Sequence, residues 1–411
     1  MLYQLHEMQR SLLHPLMQWA EASSKLFTNP VSPLAHTPFS QRIAAGYELM
    51  YRLGKEYEKP EFGIRQVEVK GKPVPIIERV VEAKAFCKLI HFRKDMSEKE
   101  FKALKQPAVL LVAPLSGHHA TLLRDTVQAL LHEHDVYITD WIDARLVPLS
   151  EGPFHLNDYV KYVQEFIRLL GPELHVISVC QPTVPVLAAI SLMASAKDPK
   201  LPKTMTMMGG PIDPRRSPTQ VNNLAVEKKF SWFENTVIYA VPPNYPGFGR
   251  KVYPGFLQHA GFIAMNPGRH AQSHREFYMH LVRGDDEPAE IHRKFYDEYN
   301  AVLDMPAEYY LDTIKTVFQE FRLPQGTWEV DGQFVRPQDI TTVALMTVEG
   351  ELDDISGAGQ TQAAHDLCSG IPQDMQVDFV VPQAGHYGIF SGRRWREMVC
   401  PRIAEFIKQH N

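Results

Sequence analysis

A cysteine stands where an apolar run turns into an apolar helical pattern, in LHVISVCQPTVPVLAAISLMA around Cys180. Strand, nucleophile, helix is the order of a nucleophile elbow, a strained turn whose positions two before and two after the nucleophile must let strand and helix approach closely. Here these positions hold Ser178, which is small, and Pro182, which departs from the glycine of the GxSxG form. A proline in a first helical turn forfeits only an N–H that has no intrahelical partner, so the turn can still be built. The N–H of Gln181 stays available as an oxyanion donor, and a helix N-terminus favours a thiolate. The competing readings are a buried strand-end cysteine, since free cysteine is among the most buried residue types, and a serine nucleophile, for which the chain offers no GxSxG.

An acid and a base follow in the order such an elbow requires. Asp353 lies in VEGELDDISGAGQT after one apolar run, and His386 in PQAGHYGIFSG after the next. The imidazole would take the thiol proton and return it to the leaving alcohol, while the carboxylate fixes the ring's tautomer and stabilises its charge. Asp354 adjoins Asp353, and Asp213 follows another run, so both compete for the carboxylate role. The second oxyanion donor is expected in APLSGHHATLLRD, from the backbone N–H of Leu115 or Ser116. The paired His118 and His119 invite a metal reading, but adjacent side chains point apart and no carboxylate or cysteine stands at ligand spacing, so no metal is expected.

The elements that must position these residues are legible as periods. The runs at 108–113, 136–139, 174–179, 204–208 and 342–348 are short and mostly apolar, as parallel strands buried on both faces are. Segments with helical spacing at 121–132, 159–170 and 184–193 separate several of them and suit crossover helices. Broken β-rich runs between Ile64 and Lys94 predict antiparallel strands at a sheet edge. This is an α/β chain with a mostly parallel, doubly wound sheet, an α/β-hydrolase fold. The expected division is a helical arm over 1–60, a first core part over 61–212, an inserted cap over 213–336 and a second core part over 337–411. In the arm, Leu5, Met8, Leu12, Leu16 and Trp19 recur at helical spacing. Packing of this stripe on the core is the expectation, and docking on an apolar phase the alternative, which Pro15 weakens by interrupting the helix.

Composition bounds the rest. With 411 residues, 44% of them hydrophobic, the chain can bury a large core, and its net charge of −5 is spread without long runs of one sign. Neither nucleic acid nor anionic lipid is therefore expected as a partner. The four cysteines are scattered without CxxC spacing, and no uninterrupted apolar stretch reaches signal-peptide or membrane-spanning length. A cytoplasmic protein with reduced thiols follows.

Six segments, APLSGHHATLLRDTV, VISVCQPTVPVLAA, MGGPIDPRRSPT, YDEYNAVLDMPAEYYLDTI, VEGELDDISGAGQT and PQAGHYGIFSGRRW, together resemble the intracellular poly(3-hydroxybutyrate) depolymerases. Members of that family are α/β hydrolases with a cysteine in place of serine. The resemblance runs from about Pro114 to the C-terminus, and the arm also resembles the family's opening. It implies a triad of Cys180, Asp353 and His386, no cofactor, and a substrate and partner in the storage polyester of cytoplasmic granules, cut to 3-hydroxybutyrate oligomers and monomer. An apolar polymer asks for an apolar, aromatic groove, and Trp232, Phe233, Tyr245 and Phe248 are the candidates in the cap to line it. Three rivals stand beside this reading. A polyhydroxyalkanoate synthase would keep the GxCxG that Pro182 breaks, thiolysis would yield an acyl-CoA, and an inactive granule-coating protein would have no chemistry at all. The sequence is compatible with a homo-oligomer.

Overall fold

The computed structural model describes residues 2–411. The chain opens with two packed helices, α1 (Leu2–Thr28) and α2 (Ser40–Gly54). The face of α1 that packs carries Tyr3, Met17, Ala20, Ser23 and Ser24. These are mostly small side chains, as are Ala44 and Ala45 on α2, and they let the backbones come close enough for the Ser24 hydroxyl to donate to the Ala44 carbonyl at 3.1 Å. The apolar stripe therefore faces outward. Leu5, Met8, Leu12, Leu16 and Trp19 are each between 45% and 79% exposed, which corrects the expectation that they pack on the core. Pro15 does not interrupt α1 either. It sits exposed inside one continuous helix, where neighbouring turns carry on past the one backbone hydrogen bond it removes.

Nine strands form one sheet in the spatial order β1-β2-β3-β5-β4-β6-β7-β8-β9. They are β1 (Gln66–Val69), β2 (Lys72–Ala83), β3 (Cys87–Lys94), β4 (Ala108–Val112), β5 (Asp135–Trp141), β6 (Leu174–Val179), β7 (Thr204–Met208), β8 (Ala344–Gly350) and β9 (Gln376–Val381). The first three pair antiparallel and hand over to β5, after which all neighbours run parallel. Every residue of β6, β7 and β8 is buried, which is why these strands read as largely apolar runs. Beyond β4 the chain goes first to one side, to β5, and then back to the other, to β6. The crevice at the carboxyl ends of β4 and β6 is thus the topological switch point where open α/β sheets bind ligands.

Crossover helices cover the sheet, among them α3 (Leu156–Leu170), with an apolar face, and α4 (Thr183–Ser195), which is buried on all sides through Met193. Between β7 and β8 the strand and helix alternation stops. That stretch includes the helices α5 (Pro267–Arg283), α6 (Asp286–Tyr299) and α7 (Ala307–Thr313), together with a small antiparallel ribbon of 239–240, 251–253 and 305–306. It folds back onto the loop after β4, where Val302 bridges His118 and the Leu303 N–H donates to the Gly117 carbonyl at 2.8 Å. The arm is fastened to the same place. The buried Tyr3 hydroxyl donates to Asp304 at 2.6 Å, and the His6 ring stacks on Phe256 with centroids 4.0 Å apart. Among the described residues no helix is long and apolar enough to cross a membrane.

Candidate active site

Cys180 directly follows β6 with a φ of 68°, left-handed backbone that a cysteine adopts only when its surroundings enforce it. Its N–H donates to the Met208 carbonyl at 2.7 Å, and its carbonyl accepts from the Thr183 N–H at 3.1 Å, so the turn is pinned on both sides. Pro182 is already helical, with φ −56° and ψ −19°, and its carbonyl accepts from Val186 at 2.9 Å. Close approach, which glycines on either side of the nucleophile usually permit, comes here from the neighbouring strand. A Cβ on Gly210 would lie 2.4 Å from the Cys180 carbonyl oxygen and 1.8 Å from Thr183 Oγ1. One on Gly209, whose φ is +56°, would lie 2.7 Å from Ile389 and 3.3 Å from the His386 ring. Sequence reasoning missed both, although the GG pair directly after an apolar run was the available signal.

The loops after β8 and β9 meet beside this turn. Asp353 Oδ2 lies 2.7 Å from His386 Nδ1, with the carboxylate 1% and the imidazole 5% exposed. Asp353 Oδ1 accepts from the Ile355 and Ser356 N–H groups, each at 2.9 Å, which fixes the carboxylate's rotamer. Burial alone would lower the pKa of His386. The negative charge that Cys180 can carry, the charge of Asp353 and hydrogen bonds to both outweigh it and hold the imidazole well above its usual range. The rival carboxylates are elsewhere. Asp213 is spent on a two-pronged pair with Arg215 at 2.7 and 2.8 Å, and Asp354 is exposed.

Of the four cysteines, Cys87 and Cys368 are fully buried. Burial pushes the Cys87 thiol far up and the thiols of Cys368 and Cys400 up to about 12, so these three are inert as nucleophiles at neutral pH. The N–H groups of Gln181, Leu115 and Ser116 meet no acceptor among the described residues. Leu115 and Ser116 follow β4, the strand next to β6, as a two-part oxyanion site requires. His118 and His119 diverge. The His118 ring stacks on Phe262 and its Nε2 donates to the Tyr299 carbonyl at 3.2 Å, whereas His119 is buried on its own.

The four aromatic residues expected to line a groove have these surroundings. Phe233 packs with Ala225 and Ile314 in a satellite cluster that Trp232 borders. The Tyr245 hydroxyl lies 3.0 Å from both Arg10 and Glu7 of the arm, and Phe248 is 58% exposed. Trp232, Phe233 and Tyr245 have partners that composition alone does not disclose. The aromatic side chains whose acidity responds to the Cys180 charge are Tyr159, Tyr309 and Tyr387. The pair in AEYYLDT was a signal for Tyr309. Two open clefts, one lined by Lys59 to Arg65 with Ile76 and Glu78 and another by Gln66 to Glu68 with His132, involve the antiparallel edge and none of these residues.

A doubly wound sheet in this order gives the protein an α/β-hydrolase fold, with Cys180 in the turn after β6 and Asp353 and His386 in the loops after β8 and β9. Residues 209–411 match the family model described as PHB de-polymerase C-terminus. The matched half contains Asp353 and His386 but ends short of Cys180. No curated protein matches the chain. Among solved structures, a 2-hydroxy-6-oxo-6-phenylhexa-2,4-dienoate hydrolase from a Rhodococcus species aligns at 13% identity and a TM-score of 0.44, over 82% of this chain and 99% of that one. A monoacylglycerol lipase from Paleococcus ferrophilus aligns at 13% identity and a TM-score of 0.44, over 74% and 96%.

Proposed function

We propose that this protein hydrolyses ester bonds of poly(3-hydroxybutyrate) through a Cys180, His386, Asp353 triad and an acyl-enzyme. The observation that carries the proposal is the buried 2.7 Å contact between Asp353 and His386 beside a cysteine in left-handed backbone at the switch point. Asp353 holds the proton on His386 Nδ1, so that Nε2 can take the thiol proton of Cys180. The thiolate attacks the scissile carbonyl carbon, and the oxyanion formed is met by the N–H of Gln181 and that of Leu115 or Ser116. As the C–O bond breaks, His386 returns the proton to the leaving 3-hydroxyl oxygen and a thioester remains on Cys180. Water, deprotonated by His386, attacks the thioester and frees the acid.

The family match supports the polymer as substrate, and the outward stripe on α1 supports its granule as the surface where the enzyme works in the cytoplasm. Both cationic side chains of α1 face carboxylates, Arg10 with Glu7 at 2.9 Å and Lys25 with Glu21 at 2.7 Å, so the stripe suits a neutral apolar phase better than an anionic membrane. Incubation with amorphous granules, with and without coenzyme A, followed by mass spectrometry of the products tests this reading. The expected product is 3-hydroxybutyrate and its oligomers under both conditions, whereas a CoA adduct as sole product contradicts hydrolysis and no product at all contradicts the depolymerase reading.

A further inference from the structure

The Gln181 side chain beside the nucleophile has one end occupied and the other free. The residue is 7% exposed, and its Oε1 accepts from the Tyr309 hydroxyl at 2.5 Å. Tyr309 is 1% exposed and stacks on Tyr159, with centroids 5.6 Å apart and planes 16° apart. Burial, then the charge of Cys180, pushes its pKa well above the usual range, so the hydroxyl remains a donor. A hydroxyl that donates needs the oxygen end of the amide, and this fixes the amide's orientation. Nε2 then points away from Tyr309, buried and with no partner among the described residues.

Buried donors in folded proteins are nearly always paired, so an orphan of this kind calls for a ligand. Gln181, the residue after Cys180, thus has two donors without a partner among the described residues, its backbone N–H and its side-chain amide. The scissile oxygen already has donors in the backbone groups of Gln181 and the loop after β4. The side-chain amide is left for a second acceptor on the same substrate, and a polyester of 3-hydroxy acids carries one, the ester carbonyl one repeat along its acyl chain.

We propose that the Gln181 side-chain amide, positioned by Tyr309, is a specificity determinant that donates a hydrogen bond to the ester carbonyl one repeat beyond the scissile bond. The proposal rests on the depolymerase reading and deepens it. It is tested by ethanol release from ethyl 3-acetoxybutyrate, which has the second carbonyl, and from ethyl 3-hydroxybutyrate, which lacks it. The quantity read is the ratio of kcat/KM for the first ester to that for the second. Gln181→Met, which keeps the backbone N–H and loses the amide, lowers this ratio about tenfold, the worth of one such hydrogen bond. Tyr309→Phe, which frees the amide to rotate, lowers it by a smaller factor. A ratio unchanged in both variants, whatever the absolute rates, overturns the proposal. Failure of the wild type to release ethanol from either ester is a separate result, which removes the hydrolase reading and this inference with it.

Discussion

Asp353 acts on His386 in two ways, through orientation and through charge. Its Oδ2 faces Nδ1 at 2.7 Å while its Oδ1 is locked by two backbone N–H groups. Asp353→Asn keeps that shape but can present an N–H to Nδ1, which leaves the ring's proton on the nitrogen that should accept the thiol proton. A loss of roughly 10³–10⁴-fold in kcat/KM is expected, as for the equivalent change in serine triads. The charge effect has a separate signature. Burial lowers the pKa of His386, and the charges of Cys180 and Asp353 raise it to a net value well above the usual range. Removing one of those charges lowers it, so the imidazole becomes available as a base at lower pH and the acid limb of kcat/KM moves toward acid. A limb that stays in place or moves toward alkali rules out this charge effect on His386. Chain order led to Asp353, but the choice over Asp354 and Asp213 was not legible, because it depends on which carboxylate the turn buries and which is drawn off by an arginine.

The helix α1 inverts the usual rule that an amphipathic helix buries its apolar side. Its period was plain in the sequence, but its facing was not, because packing is carried by Ala20, Ser23 and Ser24 against Ala44 and Ala45, and small residues weigh little in a hydrophobic pattern. Leu12 is 79% and Leu16 45% exposed, so replacing both with aspartate removes no buried contact of consequence. Surface changes of this kind leave stability within about 0.5 kcal/mol each. Leu12→Asp combined with Leu16→Asp is expected to unfold near the wild-type temperature, to keep full activity on a small soluble ester, and to lose co-sedimentation with amorphous granules. Undiminished co-sedimentation would remove α1 from the granule contact. The strands were legible for the opposite reason, since β6, β7 and β8 are buried on both faces and leave short, largely apolar runs.

At the scale of the molecule, the arm, the insertion and the loops of the sheet are tied by buried polar groups. Arg250 is 2% exposed and donates to the carbonyls of Val147, Pro148 and Gly152. Histidines are buried in the same way. Desolvation by burial lowers the pKa of His118, His134 and His175 to about 4 and of His119 to about 3. Their folded values lie below the unfolded 6.5, so the stability they contribute is complete above that pH. It is lost as the pH falls, because the unfolded chain takes up protons that the folded one refuses until about 3–4. The thermal midpoint is expected to drop steadily between pH 6.5 and 4, and a flat or rising midpoint contradicts this, as calorimetry at matched ionic strength can show. None of this burial could be read from 18 histidines dispersed along the chain. The claim on which the rest depends is that Cys180 bonds covalently to the acyl group. Rapid quenching of enzyme mixed with a 3-hydroxybutyrate oligomer, followed by intact-protein mass spectrometry, measures it directly. An added 3-hydroxybutyryl mass that maps to Cys180 and disappears, together with turnover, in Cys180→Ala is the expected result; sustained turnover in that variant, or an adduct on another residue, rules out Cys180 as the nucleophile.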